Sequence, residues 1–159
     1  GNDSFLLASY GHQVITCEQN RALCALLFDA IASLQQHQPR TLNWMLYPGN
    51  SLTNLQHYPK TWLQPDCVLI DPMYPELSKN AKPKKSMALL RAFITAESKD
   101  QECALLQAAR QLAQSKVIVK RPKHAPHLGN SVPHHQIVAS KRFHHRFDVY
   151  LPVQEPCEP

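Results

Sequence analysis

The clearest evidence for the fold of this chain is the segment Cys67-Val68-Leu69-Ile70-Asp71-Pro72-Met73-Tyr74-Pro75. Its first four residues are apolar and indicate a buried strand, which the acidic residue and the proline bring to an end. The aromatic residue Tyr74 follows shortly after Asp71. We therefore predict the central strand of a sheet, with a carboxylate and an aromatic ring directly after its carboxyl end.

Helical and strand patterns alternate on both sides of this strand, as expected of βαβ units around a mostly parallel sheet. The clearest helix precedes it, where apolar residues recur at steps of three and four between Leu23 and Leu34. Other helices are predicted at 5–8, after Asn50, from Lys84 and at 105–112, and other strands at 14–17, 41–47 and 116–119. Two late apolar runs, 136–139 and 147–151, predict a hairpin at the sheet edge.

Length and composition indicate one α/β domain, which we assign to residues 1–152, followed by a tail at 153–159. A chain of 159 residues can bury a sizeable core. No apolar run approaches the roughly 18 residues of a membrane span. The five cysteines include no C-x-x-C pair, and Cys17 and Cys67 fall in strands predicted to be buried. Free thiols of this kind are expected in a reducing cytoplasm.

Charge is distributed unevenly along the chain. Residues 1–78 carry 3 Lys and Arg against 6 Asp and Glu, whereas residues 79–146 carry 14 against 3. A basic block of this size is typical of a surface that binds a polyanion such as a nucleic acid. A solvated basic face without a partner is the alternative.

The polar residues that follow the predicted strands are the candidate site, because ligands of open parallel sheets bind beyond the carboxyl ends of strands. Glu18 could accept the ribose hydroxyls of a nucleoside cofactor, or it could be a solvated surface residue. Asn50 and Ser51 could bind an adenine edge or simply cap a helix. Asp71 could accept hydrogen bonds from an amino group, and Tyr74 could stack on its base at about 1–3 kcal/mol per base. The alternative is that Asp71-Pro72 only forms a turn.

This acidic residue, proline and aromatic ring are typical of enzymes that methylate exocyclic amines. Methyl transfer from a sulfonium needs alignment of the nitrogen with the methyl carbon more than acid–base catalysis, so no catalytic histidine is required. Six of the nine histidines fall between His124 and His145, but their spacing does not favour a zinc site. We expect no metal, and we expect these histidines to add pH-dependent charge to the basic face.

With these residues identified, the chain resembles a known family, the bacterial small-subunit (16S) rRNA methyltransferase J family, which methylates N2 of a guanine using S-adenosylmethionine. The similarity lies in motifs that occur in family order from the first residue almost to the last. The most specific are D-P-M-Y-P at 71–75, V-I-V-K-R-P at 117–122 and H-R-F-D-V-Y at 145–150. Shorter matches occur at 1–5, 17–20, 50–53 and 84–87.

The resemblance implies a Rossmann-like class I methyltransferase sheet, mostly parallel with late antiparallel strands. It also implies cofactor contacts for Asn2, Asp3, Glu18, Gln19, Asn50, Ser51 and Asp71. The family's first strand and its D-x-x-A-G-x-G turn would precede Gly1, so additional N-terminal sequence is expected. In this interpretation Asp71, Pro72 and Tyr74 form the catalytic corner.

The function predicted from the sequence is thus transfer of a methyl group to the exocyclic N2 of a guanine in small-subunit rRNA. The predicted partner is this rRNA or the ribosomal subunit that contains it. The candidates for RNA phosphate contacts are Lys84, Lys85, Lys120 and Arg121. A DNA amino-methyltransferase and a non-catalytic RNA-binding module of the same fold are the alternatives. A nicotinamide-dependent oxidoreductase is disfavoured because the sequence contains no G-x-G-x-x-G motif.

Overall fold

The computed structural model of the chain describes residues 1–37, 42–54, 64–72, 99–129, 132–140, 142 and 144–153. The chain divides into two compact units, Gly1–Gln56 and His57–Pro159. The predicted helix from Lys84 and the tail beyond residue 153 lie outside the described residues. Each unit is an α/β structure with its own hydrophobic core.

The first unit contains helices α1 (Asn2–Ser9), α2 (Arg21–His37) and α3 (Ser51–Asn54), and strands β1 (Val14–Glu18) and β2 (Trp44–Pro48). The two strands pair in parallel, in a register that runs from Val14 opposite Trp44 to Glu18 opposite Pro48. A parallel pair needs a crossover, and α2 supplies it. Its core is built from Ala8, Ile31, Leu42 and Trp44.

Polar side chains define the ends and the interior contacts of this unit. Asn20 precedes α2, and its side-chain oxygen accepts hydrogen bonds from the backbone N–H groups of Ala22 and Leu23 at 3.0 and 3.1 Å. This is the N-cap arrangement that satisfies free amides in the first turn. In the interior, the Trp44 indole donates to the Thr16 hydroxyl at 2.8 Å, which ties β2 to β1.

The second unit contains strands β3 (Cys67–Ile70), β4 (Lys116–Pro122), β5 (Gln136–Ala139) and β6 (His145–Tyr150), with helix α4 (Lys99–Leu112) before β4. The strand order is β3-β4-β6-β5, so β3, the strand predicted to be central, lies at one end of the sheet that the described residues form. β3 and β4 are parallel, whereas β6 is antiparallel to both of its neighbours. The predicted late hairpin at the sheet edge is therefore confirmed.

The core of the second unit lies between α4 and the sheet. It is formed by Ile70, Leu106, Ala109, Ala113, Val117, Val119, Leu128 and Tyr150. Burial alternates along β4, so Val117, Val119 and Arg121 face inward. A period of two is typical of a strand with one covered face, and it places Arg121 on the same face as Val117 and Val119.

The prediction that Cys17 and Cys67 are buried is wrong, since both side chains are exposed. Both lie in strands, but strand residues alternate between faces. Thr16 is directed toward α1, where its hydroxyl donates to that of Ser4 at 2.8 Å, so its neighbour Cys17 points to the opposite face. Cys67 is the first residue of β3, where burial begins only further along the strand.

Candidate functional site

The carboxyl ends of β3 and β4 bring Asp71 and Lys120 together. The strands pair in parallel with Ile70 opposite Val119, so the next residue of each strand lies at the same edge of the sheet. The Lys120 ammonium Nζ is 3.1 Å from Asp71 Oδ2, and their side chains are 24% and 51% exposed respectively. This corner therefore presents a carboxylate that is accessible to a ligand and oriented by a cation.

Pro72 follows Asp71 directly and is the last described residue of the motif. Its ring fixes the backbone dihedral φ near −65° and removes an N–H donor, so the strand cannot continue through it. Tyr74, Lys84 and Lys85 lie outside the described residues. Their assignments as a stacking ring and as phosphate contacts stay predictions.

The carboxyl ends of β1 and β2 form a second group of candidate residues, in the first unit. Glu18 is opposite Pro48, and the Gly49 amide donates to the Glu18 carbonyl at 2.8 Å. This pairing brings the loops after both strands together, and Asn50 Nδ2 donates to Gln19 Oε1 at 2.8 Å. Two of the predicted cofactor residues are therefore in direct contact.

Glu18 and Asn50 also stabilise the backbone around this site. Glu18 Oε1 accepts a hydrogen bond from the Asn20 amide at 2.7 Å. Asn50 Oδ1 accepts one from the Leu52 amide at 2.9 Å, which makes Asn50 the cap of α3. Both roles predicted for Asn50 are compatible, because the cap uses its oxygen and leaves its amide nitrogen directed at Gln19.

A cavity of about 410 Å³ that is widely open to solvent lies beside this group. Its volume is within the size range of sites for small ligands. It is lined by Gln19, Arg21, Cys24, Ala25, Phe28, Pro48 and Gly49. Apolar and aromatic walls with an amide at one edge suit a flat heterocycle, since every base has an apolar face and a polar edge. The residues present therefore fit the purine of a nucleoside cofactor.

Cys24 lies in this cavity but has the properties of a structural thiol. Its Sγ donates to the Glu18 carbonyl at 3.0 Å. Burial raises the pKa of the Cys24 thiol, and the neighbouring Glu18 charge raises it further. Because the thiolate is the nucleophilic form, Cys24 is not a candidate for covalent chemistry.

The other predicted cofactor residues open helices of the first unit. Asn2 and Asp3 are the first residues of α1, and Ser51 is the first residue of α3. Asp3 lies in the first helical turn, where a negative charge complements the helix dipole. A structural role and a ligand contact are both possible for a residue in this position, so these assignments stay predictions.

Arg121 is buried, whereas a residue that contacts RNA phosphates is expected at the surface. Its side chain is 4% exposed, and its Nε and Nη2 both donate to the Pro126 carbonyl, the former at 2.9 Å. Glu102 of α4 lies 3.8 Å from its Nη1. The guanidinium is therefore directed into the second unit, where it holds the loop that follows β4.

A buried charge network on β6 is not among the features predicted from the sequence. Asp148 is completely buried and accepts hydrogen bonds from Arg146 Nε at 2.7 Å and Nη2 at 3.2 Å. His127 Nδ1 lies 2.7 Å from its Oδ2. Burial raises the pKa of the Asp148 carboxyl, but the hydrogen bonds from Arg146 and His127 outweigh it and leave the pKa below the ordinary value. Period-two spacing in H-R-F-D-V-Y could have indicated that Arg146, Asp148 and Tyr150 share one face.

The described parts of the chain lack two kinds of feature. No group of three or more His, Cys, Asp or Glu side chains there could hold a metal ion. None of the described helices is long and apolar enough to cross a bilayer.

Comparison with known proteins identifies the relatives of this chain. The family described as "Putative SAM-dependent methyltransferase" matches residues 1–152. A protein named ribosomal RNA small subunit methyltransferase J from Neisseria gonorrhoeae is 40% identical over 155 residues, which cover 96% of this chain and 60% of that protein. The protein of the same name from Serratia proteamaculans is 37% identical over 159 residues, with the same coverage.

A solved structure agrees with these sequence matches. The crystal structure of a SAM-dependent methyltransferase from Neisseria gonorrhoeae superposes with a TM-score of 0.73 at 34% identity, over 99% of this chain and 63% of that one. The chain thus spans about 60% of the length of the relatives it matches. The predicted fold class and the predicted family resemblance are both confirmed.

Proposed function

This chain belongs to the family of SAM-dependent methyltransferases, and we propose that the protein transfers a methyl group from S-adenosylmethionine to the exocyclic N2 of a guanine in small-subunit rRNA. The observation that carries the proposal is Asp71, an accessible carboxylate at the carboxyl end of a sheet strand, held by Lys120. The relatives named as small-subunit rRNA methyltransferases support rRNA as the substrate. The free thiols of the described cysteines support a cytoplasmic location.

The first unit is proposed to bind the cofactor. Gln19 and Asn50, which are hydrogen-bonded to one another, would hold the adenine edge, and the cavity wall at Phe28 would cover its face. The Glu18 carboxylate would accept the ribose hydroxyls. S-adenosylmethionine, when bound, supplies an activated methyl group whose leaving group is neutral.

The second unit is proposed to hold the amine. Asp71 would accept a hydrogen bond from the guanine N2 amino group and so orient the nitrogen for methyl transfer. The nitrogen gains a methyl group and loses one proton, for which the Asp71 carboxylate is the proposed acceptor. Lys120 orients that carboxylate from the adjacent strand, and Tyr74 is proposed to stack on the base.

The direct test is mass spectrometry of small-subunit rRNA from cells with and without the gene. We expect one guanine to lose its N2 methyl group in the deletion strain and to regain it when the protein is restored. Transfer to duplex DNA but not to rRNA in an assay with the purified protein would establish the alternative amino-methyltransferase. Absence of cofactor binding in calorimetry would establish a non-catalytic RNA-binding module.

A second test concerns the corner itself. Asp71→Ala is expected to abolish transfer without unfolding the protein, because the Asp71 side chain is half exposed. Asp66→Ala is the matched control, since Asp66 is an exposed aspartate just before the same strand. Wild-type turnover in Asp71→Ala would refute the proposed role, as would equal loss in both variants.

A further inference from the structure

We propose that the segment 122–129, which follows β4, and the neighbouring cationic side chains form an RNA-binding surface. Arg121 and Arg146 are buried; they hold this surface in place and do not contact RNA themselves. The inference rests on the proposed function, because rRNA is taken as the polyanion. We call this segment with its basic neighbours the loop surface. Its members are Lys123, His124, His127, His134, His135, Arg142 and His144.

The backbone carbonyls of the segment are turned inward. Arg146 Nη1 donates to the carbonyl of Lys123 at 2.6 Å, and Arg146 Nη2 donates to that of Ala125 at 2.8 Å. Arg121 Nε donates to the Pro126 carbonyl at 2.9 Å. The negative ends of these peptide dipoles therefore point into the protein, where buried cations satisfy them.

A core residue completes the arrangement. The Tyr150 hydroxyl donates to the Leu128 carbonyl at 3.0 Å, and both residues are buried. The segment is thus fixed from within at both of its ends. A surface that is ordered before binding loses little conformational entropy when a partner docks.

Asp148 makes it possible to bury Arg146. A buried cation is costly unless it is paired, and Asp148 provides the counter-charge with 0% exposure. Its Oδ2 also binds His127, which belongs to the loop surface. The network therefore joins the core of the second unit to an imidazole at its surface.

The loop surface carries only positive or titratable charge. The sequence contains no Asp or Glu between Glu102 and Asp148, and Asp148 itself is buried. Lys123, His124 and Arg142 are exposed. Because no exposed carboxylate of this segment opposes them, the surface attracts a polyanion over distances comparable with the Debye length, about 8–10 Å at ordinary salt.

Flat rings on this surface favour RNA among polyanions. The imidazoles of His127 and His134 are stacked, with ring centroids 4.3 Å apart and planes 14° from parallel. His134 is exposed and His127 is 33% exposed. A stacked pair of rings among cations can receive an unpaired base while lysine and arginine bind the flanking phosphates.

The test is binding of a labelled small-subunit rRNA fragment by fluorescence anisotropy across a series of salt concentrations, without any methyl donor. Lys123→Ala and Arg142→Ala are each expected to lower the slope of log K against log salt by about 0.7, the value for one phosphate contact on single-stranded RNA. Lys116→Ala is the matched control, because Lys116 is exposed at the opposite end of β4. Its slope is expected to equal that of the wild type.

Unchanged slopes in both Lys123→Ala and Arg142→Ala would overturn the inference, and so would an equal decrease in Lys116→Ala. The role of Arg146 is tested by Arg146→Lys, which keeps the charge but loses the forked geometry. We expect faster hydrogen exchange of the amides at 123–128 and weaker RNA binding. Because this assay needs no turnover, failure of the loop surface is distinguishable from failure of the proposed methyl transfer, which rRNA mass spectrometry measures separately.

Discussion

Replacement of the buried carboxylate in Asp148→Asn is expected to destabilise the protein by about 3 kcal/mol at pH 7. The asparagine side chain would have the same shape but no charge, and its amide nitrogen cannot accept a hydrogen bond as the carboxylate oxygen does. The Arg146 guanidinium, with a side chain only 8% exposed, would keep its hydrogen bonds to backbone carbonyls but lose its counter-ion. Breaking a buried pair by removing one partner typically costs about 3–5 kcal/mol, and the carboxamide oxygen that remains in the variant places this change at the low end.

The effect is expected to depend on pH in a defined direction. Because the pKa of Asp148 in the folded protein is below its ordinary value of 3.8, the carboxylate stabilises the fold fully above that value. This stabilisation is lost as the pH falls through the lower pKa of the folded state. The difference between wild type and variant should therefore be constant near neutrality and shrink in acid.

Urea unfolding followed by circular dichroism measures this difference, and hydrogen exchange of the β4 and β6 amides assigns it to the second unit. Asp100→Asn is the matched control, since Asp100 is exposed in the first turn of α4 and should cost less than about 1 kcal/mol. A loss of stability in Asp148→Asn no larger than in this control would show that Arg146 does not depend on a buried counter-charge. A loss that persisted unchanged in acid would show that the charge of Asp148 is not its cause.

Three further substitutions test other parts of the structure. Lys120→Ala is expected to slow methyl transfer about tenfold, or about 1.4 kcal/mol, and to leave the salt dependence of RNA binding unchanged. A smaller salt slope in binding assays would instead make Lys120 a phosphate contact. Tyr150→Phe should cost about 1 kcal/mol in urea unfolding through loss of the bond to Leu128. Burial raises the pKa of Tyr150 above its ordinary value of 10.0, so the wild type should lose stability as the pH rises through that raised pKa. If Tyr150→Phe showed the same loss, Tyr150 would not be its cause. Gly129→Ala should lower the thermal unfolding temperature more than Gly11→Ala does. Both glycines have positive φ, but only at Gly129 would the added Cβ lie 3.1 Å from a Leu106 methyl. Equal losses in the two variants would exclude that steric effect.

Much of the fold could be predicted from local patterns. The apolar run before Asp71 and the helical repeat from Leu23 each became the element that the pattern indicates. The late hairpin was also predictable, because two short apolar runs close together in sequence pair at low entropic cost. Element ends shifted by a few residues, as in β2, which begins at Trp44 and not at residue 41.

The candidate site was predictable only in part. Residues that follow strands, such as Glu18, Asn50 and Asp71, could be found because parallel strands bring their carboxyl ends to one edge. The Asp71–Lys120 pair could not, since it depends on the register of β3 against β4. Two residues 49 positions apart in sequence become neighbours only when that register is set by the packing of Ile70 and Val119 in the core.

The order of helices and strands, the family and the residue types at the strand ends could all be inferred without a structure, because they follow from local periodicity and from contiguous motifs. Which charges face solvent and which face the core became clear only from the packed fold. Arg121 and Arg146 are indistinguishable from surface arginines in a basic segment of sequence. The second unit can bury them because Asp148 and the inward carbonyls of Pro122, Lys123, Ala125 and Pro126 supply the negative partners. That enclosure exists only after β4 and β6 have paired.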